Sequence, residues 1–228
     1  MNTIAVAIDG PSGAGKSTIA RAAAKALGFV YVDTGAMYRT IGLAVSRQGI
    51  AIGEPEKVLP LLSDSLRIEL AYDDEGVQHV LLCGEDVSSL IRTPEMSMYA
   101  SFVSAIPEVR AFLLETQRGM ARTQNVIMDG RDIGTVILPD ARVKIFLTAS
   151  AQARAQRRLL ELQEKGETVT FEEVLSDMVQ RDKQDAERAA APLRQAEDAV
   201  LLDTSDLTLE QSIDAVLELI RAAGEENK

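Results

Sequence analysis

Residues 10–17, Gly10, Pro11, Ser12, Gly13, Ala14, Gly15, Lys16 and Ser17, form a complete GxxxxGKS/T loop, with Thr18 next in the chain. An apolar run over residues 3–8 precedes it and a helical stretch from Ser17 to Leu27 follows. A strand delivers the chain to such a loop, and the glycines let backbone N–H groups curl around phosphate oxygens at the positive end of a helix. Lys16 then reaches the β- and γ-phosphates, and the Ser17 hydroxyl can ligate Mg²⁺. A Gly-rich turn carrying a chance Lys-Ser pair would need neither the strand nor the helix. The motif in this setting assigns nucleoside triphosphate binding.

Further along, Asp129 ends another apolar run and opens Asp129-Gly-Arg-Asp132. An acidic residue there orients magnesium and its waters beside a phosphate loop. An aspartate after a strand is equally often a turn former, and the phosphate loop tips the reading toward metal. Arg39 and Arg131 follow neighbouring strand ends, so they reach toward a second phosphate opposite the triphosphate, as a guanidinium clamp would. Arg154, Arg157 and Arg158 stand at i, i+3 and i+4, and Arg181, Asp185 and Arg188 at i, i+4 and i+7, each set on one helical face. Such spacing ordinarily makes a solvated face laced with ion pairs, and composition alone does not decide against that. Arginines flanking the Lys165-Gly166 break also fit a lid that brings charge to a transferring phosphoryl group on closure.

These residues need a scaffold, and the chain alternates strand and helix with one interruption. Strands are predicted at 3–8, 29–32, 125–128, 143–147 and 199–202, with helices over 17–27, 34–48, 107–122 and 209–222 and two more split by Lys165-Gly166. Gly28 is the expected C-cap of the first helix, and residues 224–228 read as a solvated tail. The expected fold is α/β, a five-stranded parallel sheet covered by helices on both faces, with ligands at the carboxyl ends of its strands. The interruption is an antiparallel hairpin: residues 66–71 and 77–82 alternate apolar and polar around a turn at 73–76.

Composition limits the rest. The 228 residues carry a formal charge of −11, which argues against nonspecific nucleic-acid binding, because that requires a basic face. Polyanionic ligands are then bound locally, by a helix N-terminus, a magnesium ion and a few arginines. At 46% apolar content a sizeable core is available. No signal-peptide pattern or membrane-spanning run stands out, so a cytoplasmic location is expected and no membrane partner. One cysteine, Cys83, excludes an intramolecular disulfide, and with only His79 beside it a zinc site lacks soft ligands.

With these motifs in hand the chain resembles the bacterial cytidylate kinases of the nucleoside monophosphate kinase family. The resemblance rests on GPSGAGKS, DTGAMYR (33–39), GEDVSSLIRTPEM (84–96), DGRDIGT (129–135) and RDKQDAERAAAPL (181–193), and runs from about residue 4 to 220. It implies a core of residues 1–35, 106–153 and 189–228, a monophosphate-binding insertion of 36–105 that absorbs the hairpin, and a lid of 154–188. It implies that ATP with Mg²⁺ donates a phosphoryl group to CMP or dCMP in a monomer. Thr34, Arg39 and Arg131 would contact the acceptor phosphate, Ser101, Arg110, Asp132 and Arg188 the cytosine, and Arg181 with Asp185 the ribose. Arg154, Arg157 or Arg158 would be the lid arginine, the three remaining unseparated. Without the resemblance, Ser101 reads as a residue that caps or packs in the helical run after Pro94. Ser17 stands where some relatives have glycine, which implies that its hydroxyl is not indispensable for magnesium. A switch GTPase would need an Asn/Thr-Lys-x-Asp segment after a late strand, and none is present. A noncatalytic nucleotide sensor would not need the cationic set, and a uridylate or small-metabolite kinase is the nearest rival.

Overall fold

The computed structural model describes residues 3–63, 65–164 and 166–225. Its elements in order are β1 (Ala5–Asp9), α1 (Lys16–Leu27), β2 (Val30–Asp33), α2 (Thr34–Arg47), α3 (Pro55–Val58), β3 (Ile68–Tyr72), β4 (Gln78–Leu82) and β5 (Glu85–Asp86). There follow α4 (Pro94–Ser104), α5 (Pro107–Thr123), β6 (Val126–Gly130), β7 (Val143–Thr148), α6 (Ala151–Glu164), α7 (Phe171–Glu187), β8 (Val200–Asp203) and α8 (Leu209–Glu225). Each run expected as a parallel strand forms one, shifted by at most two residues. The apolar residues of β1, β2, β6 and β7 are largely buried on both faces, as parallel sheets require, while Val200 and Leu201 of the edge strand β8 are exposed.

The main sheet has the order β2-β6-β1-β7-β8, every pair parallel. Alternate residues of the strands point to opposite faces. Val6, Ile8 and Ile145 pack with Ile19, Ala20 and Ala23 of α1 and Val216 and Leu217 of α8. Ala7, Val32 and Met128 pack on the other side with Ala121 of α5 and with Ile133 and Ile137. All five strands end at one edge, and the loops there carry the residues singled out above. No helix among the described residues is long and apolar enough to cross a membrane.

Strands β3 and β4 pair antiparallel with Ile68 opposite Leu82 and Tyr72 opposite Gln78. The hairpin docks on β2: the Tyr72 hydroxyl donates to the Tyr31 carbonyl at 3.0 Å, and the Asp33 N–H donates to Gln78 Oε1 at 2.9 Å. Its apolar face joins α2, α4 and the start of α5 around Met37, Ile41, Ile91, Val103 and Leu113. Besides the one-turn helix α3, two features differ from the sequence expectation. The hairpin gains a third, two-residue strand, β5, and the DGRDIGT segment winds into a single π-type turn, Ile133–Ile137. The expected tail also begins later, since α8 continues to Glu225; the remainder of that expectation, and Lys165, lie outside the described residues.

The pair α6 and α7 encloses a small core of its own, Ala155, Leu162, Val174 and Met178. Thr170 starts α7 with a capping box, its hydroxyl accepting from the Glu173 N–H while the Glu173 side chain accepts from the Thr170 N–H.

Candidate active site

The phosphate loop is held open by backbone that only glycine supplies. Gly10 has φ 149°, and a Cβ there would lie 1.9 Å from the Leu147 carbonyl oxygen, so β7 leaves no room for a side chain. Gly15, φ 87°, turns the chain into α1, placing Lys16 and Ser17 in its first turn where the free N–H groups point into the loop. Thr18 is exposed one residue on. Lys16 Nζ donates to the Pro11 carbonyl at 2.7 Å across the loop. Burial pushes its pKa well below the ordinary value; Arg131 adds to that, and Asp129, Asp9 and Asp185 oppose it.

Asp129 lies beneath the loop. The Ser17 hydroxyl donates to its Oδ2 at 2.8 Å and the Tyr31 hydroxyl to its Oδ1 at 3.1 Å. Burial raises its pKa, with the neighbouring Asp33 adding to the shift. Both Ser17 and Asp129 offer oxygen donors at the loop's end, the set that suits a hard cation such as Mg²⁺ retaining several waters. Thr34, predicted to touch an acceptor phosphate, donates from Oγ1 to the Asp129 carbonyl at 2.7 Å and so joins the start of α2 to β6.

Across the sheet edge, guanidinium groups crowd together. Arg39 pairs with Asp33 at 2.9 Å, while its buried Nε has no hydrogen-bond partner among the described residues. Arg131 Nε donates to Asp185 Oδ2 at 2.8 Å. Burial works to raise the Asp185 pKa, but the cations around it, Arg131 foremost and then Arg181 and Arg188, together outweigh it and hold the carboxyl below its usual value. Arg181 is the odd member. Its buried Nε is also unpartnered among the described residues, and its pKa is lowered to about 10, first by burial and then by Arg131, with Arg39 and Arg158 adding to it.

A second cluster borders the first. Asp132 meets Arg110 in a close ion pair and Arg188 at 3.9 Å. Arg110 stacks over the Tyr38 ring, 5.5 Å from its centroid, and donates to the Ser104 carbonyl at 3.3 Å. Arg188 donates to the Ser104 hydroxyl at 3.4 Å and to the carbonyl of Ala191, itself held at a left-handed φ of 48°. Ser101 is half-buried one turn earlier on α4, where its carbonyl accepts from the Ser104 hydroxyl.

The three arginines of α6, equivalent by spacing, have different surroundings. Arg154 is buried and occupied: it donates to the Ala149 and Ser12 carbonyls, each at 2.9 Å, and pairs with Asp182 at 2.6 Å. Arg157 turns to the end of β8 and donates to the Thr204 carbonyl at 2.5 Å. Arg158 pairs with Glu161 at 3.0 Å and lies near enough for its charge to act on Arg181.

Sequence reasoning passed over Asp9, Tyr31, Asp33, Ser104 and Asp182. Asp33 had a local signal, since an aspartate before a helix is the usual N-cap, and it accepts from the Ala36 N–H at 2.8 Å. Asp9 had the same signal as Asp129, an acid ending an apolar strand. It is 5% exposed, accepts from the Ile133 and Gly134 N–H groups at 2.8 and 2.7 Å, and its pKa is pushed up to about 6, chiefly by burial. Asp132 and Lys16 are the charged groups acting on it, in opposite senses.

That shift has a thermodynamic consequence. A carboxyl whose folded pKa exceeds its unfolded value contributes stability that is complete below the unfolded pKa and is lost as pH rises through the folded one. For Asp9 the window runs from 3.8 to about 6. Asp9→Asn removes this dependence. Denaturant titrations without nucleotide should show the wild-type advantage over the variant falling by about 2–3 kcal/mol between pH 4 and pH 7. A difference that stays flat across the window would show that the carboxyl titrates normally.

A parallel sheet ending in a phosphate loop, faced by a guanidinium cluster, defines a phosphate-loop kinase. The fold is shared with a gluconokinase from Sinorhizobium meliloti (TM-score 0.50, 14% identity, 99% of this chain and 96% of that one) and an uncharacterized protein from Eubacterium ventriosum (TM-score 0.52, 12% identity, 96% and 99%). Within that class the chain belongs to the cytidylate kinase family, whose profile matches residues 6–222. It is 53% identical over 220 residues to the cytidylate kinase of Caldicellulosiruptor saccharolyticus, covering 96% of both chains. It is 51% identical over 219 residues to that of Caldanaerobacter subterraneus subsp. tengcongensis, covering 96% of this chain and 95% of the other.

Proposed function

We propose that the chain transfers the γ-phosphoryl group of ATP to CMP or dCMP, giving ADP and CDP or dCDP. The observation that carries this reading is the pair of buried guanidinium nitrogens, Arg39 Nε and Arg181 Nε, that have no hydrogen-bond partner among the described residues, with Arg181 within reach of the charge of Arg131, which also acts on Lys16. Burial and the neighbouring Arg131 work against the charge of both Lys16 and Arg181, and Arg39 and Arg158 add to that effect at Arg181. The phosphates of a donor and of an acceptor monophosphate would offset that cost and supply the missing hydrogen-bond partners.

In this reading the loop N–H groups and Lys16 hold the donor's β- and γ-phosphates. Arg39 and Arg131 hold the acceptor phosphate in line with them. An oxygen of that phosphate forms the new P–O bond as the bond from γ-phosphorus to the β,γ-bridging oxygen breaks, and ADP leaves with that electron pair. The attacking oxygen is anionic near neutral pH, since a phosphate monoester has its second pKa near 6, so no side chain has to remove a proton. Positioning and charge therefore carry the catalysis. Ser17 and, through water, Asp129 would hold Mg²⁺. Bound there, the ion would neutralise charge on the β- and γ-phosphate oxygens.

Arg110, Asp132, Arg188 and Ser101 would read the cytosine, and Asp185 with Arg181 the ribose. Arg158 is the α6 arginine we assign to the transferring group, because Arg154 is buried against Ser12 and Asp182 and Arg157 holds Thr204, whereas the partner of Arg158, Glu161, forms an exposed i,i+3 ion pair that costs little to break. The division into a core, an insertion of residues 36–105 and a lid of 154–188 is part of the same reading, supported by the separate small core of α6 and α7. So is action as a cytoplasmic monomer on small nucleotides, which a net charge of −11 favours over nucleic acid.

Phosphorus NMR of the chain with ATP, Mg²⁺ and CMP tests the reaction. CDP and ADP should appear in equal amounts, and ADP should not form at that rate without CMP. ADP release that CMP leaves unchanged would refute the transfer.

A further inference from the structure

The π-type turn Ile133–Ile137 is capped from a distance. Asp132 occupies the position from which an aspartate ordinarily folds back onto the first free N–H groups of a helical turn, yet it makes no such bond. Its carboxylate goes to Arg110 and Arg188 instead. The Ile133 and Gly134 N–H groups are served by Asp9, which lies 124 and 125 residues away in sequence, at the end of β1. The fit is close: a Cβ on Gly134 would stand 3.2 Å from Lys144 Cδ and 3.4 Å from Asp9 Oδ2.

We propose that Asp9 is a positioning residue for the acceptor nucleotide. By capping the turn in Asp132's place, it leaves the Asp132 carboxylate free to hold Arg110 at the base-reading end of the site. Two buried N–H donors without an acceptor draw in any carboxylate within reach. Asp132, directly before Ile133, is the acid best placed to answer, and it can do so only by leaving Arg110. The residue after Asp9 is Gly10, so the same contact fixes the acceptor turn against the strand that delivers the donor loop. Among the described residues, Asp9's side chain accepts from the Ile133 and Gly134 N–H groups and not from the glycines, Lys16 or Ser17 of the donor loop, and its support of the Lys16 charge ranks behind that of Asp129. The loss should therefore fall on the acceptor and its base, and much less on ATP.

This inference rests on the proposed assignment of Arg110 and Asp132 to the cytosine, and a mutant cycle separates the two. The full chain carrying Asp9→Ala, Asp132→Ala or both is compared with wild type, using CMP and UMP as acceptors and ATP affinity measured without acceptor. Asp9→Ala should raise KM for CMP by about fivefold or more and narrow the CMP to UMP preference, with ATP affinity within about threefold of wild type. In the Asp132→Ala background the added Asp9→Ala should raise KM by less than about twofold, because the competing carboxylate is gone. Asp9→Asn keeps the volume and one acceptor oxygen, and it carries the same comparisons with smaller factors if the alanine variant does not fold. Effects that multiply in the double variant, or ATP affinity that falls in step with KM for CMP, would overturn the role of Asp9. If Asp132→Ala alone leaves KM for CMP and the base preference unchanged, the cytosine assignment fails and this inference fails with it.

Discussion

Lys16→Ala is expected to lower kcat by at least about a hundredfold while leaving the fold intact. The lysine is buried in the first turn of α1, and its one hydrogen bond among the described residues goes to the carbonyl of Pro11, within its own loop. Burial and Arg131 together disfavour its charge, so the protein alone gives the ammonium little reward for being there. Phosphate oxygens do, and they do so most strongly as negative charge shifts toward the β,γ-bridging oxygen during transfer. The lysine's worth is then mostly in the transition state. Circular dichroism and a coupled ADP assay would check both halves, and near-normal turnover would remove Lys16 from the reaction.

Arg131→Ala is expected to raise KM for the monophosphate by about thirtyfold or more, with ATP affinity changed by less than about threefold. Arg131 is pinned to Asp185 by its Nε at 2.8 Å, which aims the guanidinium from the end of β6 at the Arg39 and Arg181 side of the site. Truncation removes a charge-assisted contact to the acceptor and leaves Asp185 buried without its nearest cation. Arg39→Ala should act in the same direction but less strongly, since Asp33 already takes one face of its guanidinium. ATP affinity is measured without acceptor. If it collapses in step with activity, these arginines serve the donor.

Much of the scaffold could be read because the signals were local. The five parallel strands are short apolar runs, and the phosphate loop shows in the sequence as glycines at fixed spacing before Lys16, although what forbids a side chain at Gly10 is the Leu147 carbonyl of β7, distant in the chain. Strand β5 could not be read, since Glu85 and Asp86 are polar and exposed and form a strand only because Leu81 and Leu82 offer a free edge. The π-type turn was equally silent: its cap arrives from β1. Tyr31 and Asp129 meet across 98 residues, and neither carries a local mark of the other. Helical spacing put Arg154, Arg157 and Arg158 on one face, but spacing says nothing of what lies opposite. Ser12 and Asp182, Thr204 and Glu161 take one arginine each, and only the packing of α6 against the loop, β8 and α7 separates them.

Acceptor preference is the property on which the proposed reaction and the proposed site both depend. Steady-state kcat/KM should be measured with ATP and Mg²⁺ at saturation against CMP, dCMP, UMP, AMP and GMP in turn. CMP or dCMP should exceed each of the other three by at least about tenfold, as expected when a pairing of buried polar groups with the cytosine edge is lost with the wrong base. UMP or a purine monophosphate used as well as CMP would contradict the assignment of Arg110, Asp132, Arg188 and Ser101 to cytosine, and with it the reading of this site as one for cytidine monophosphates.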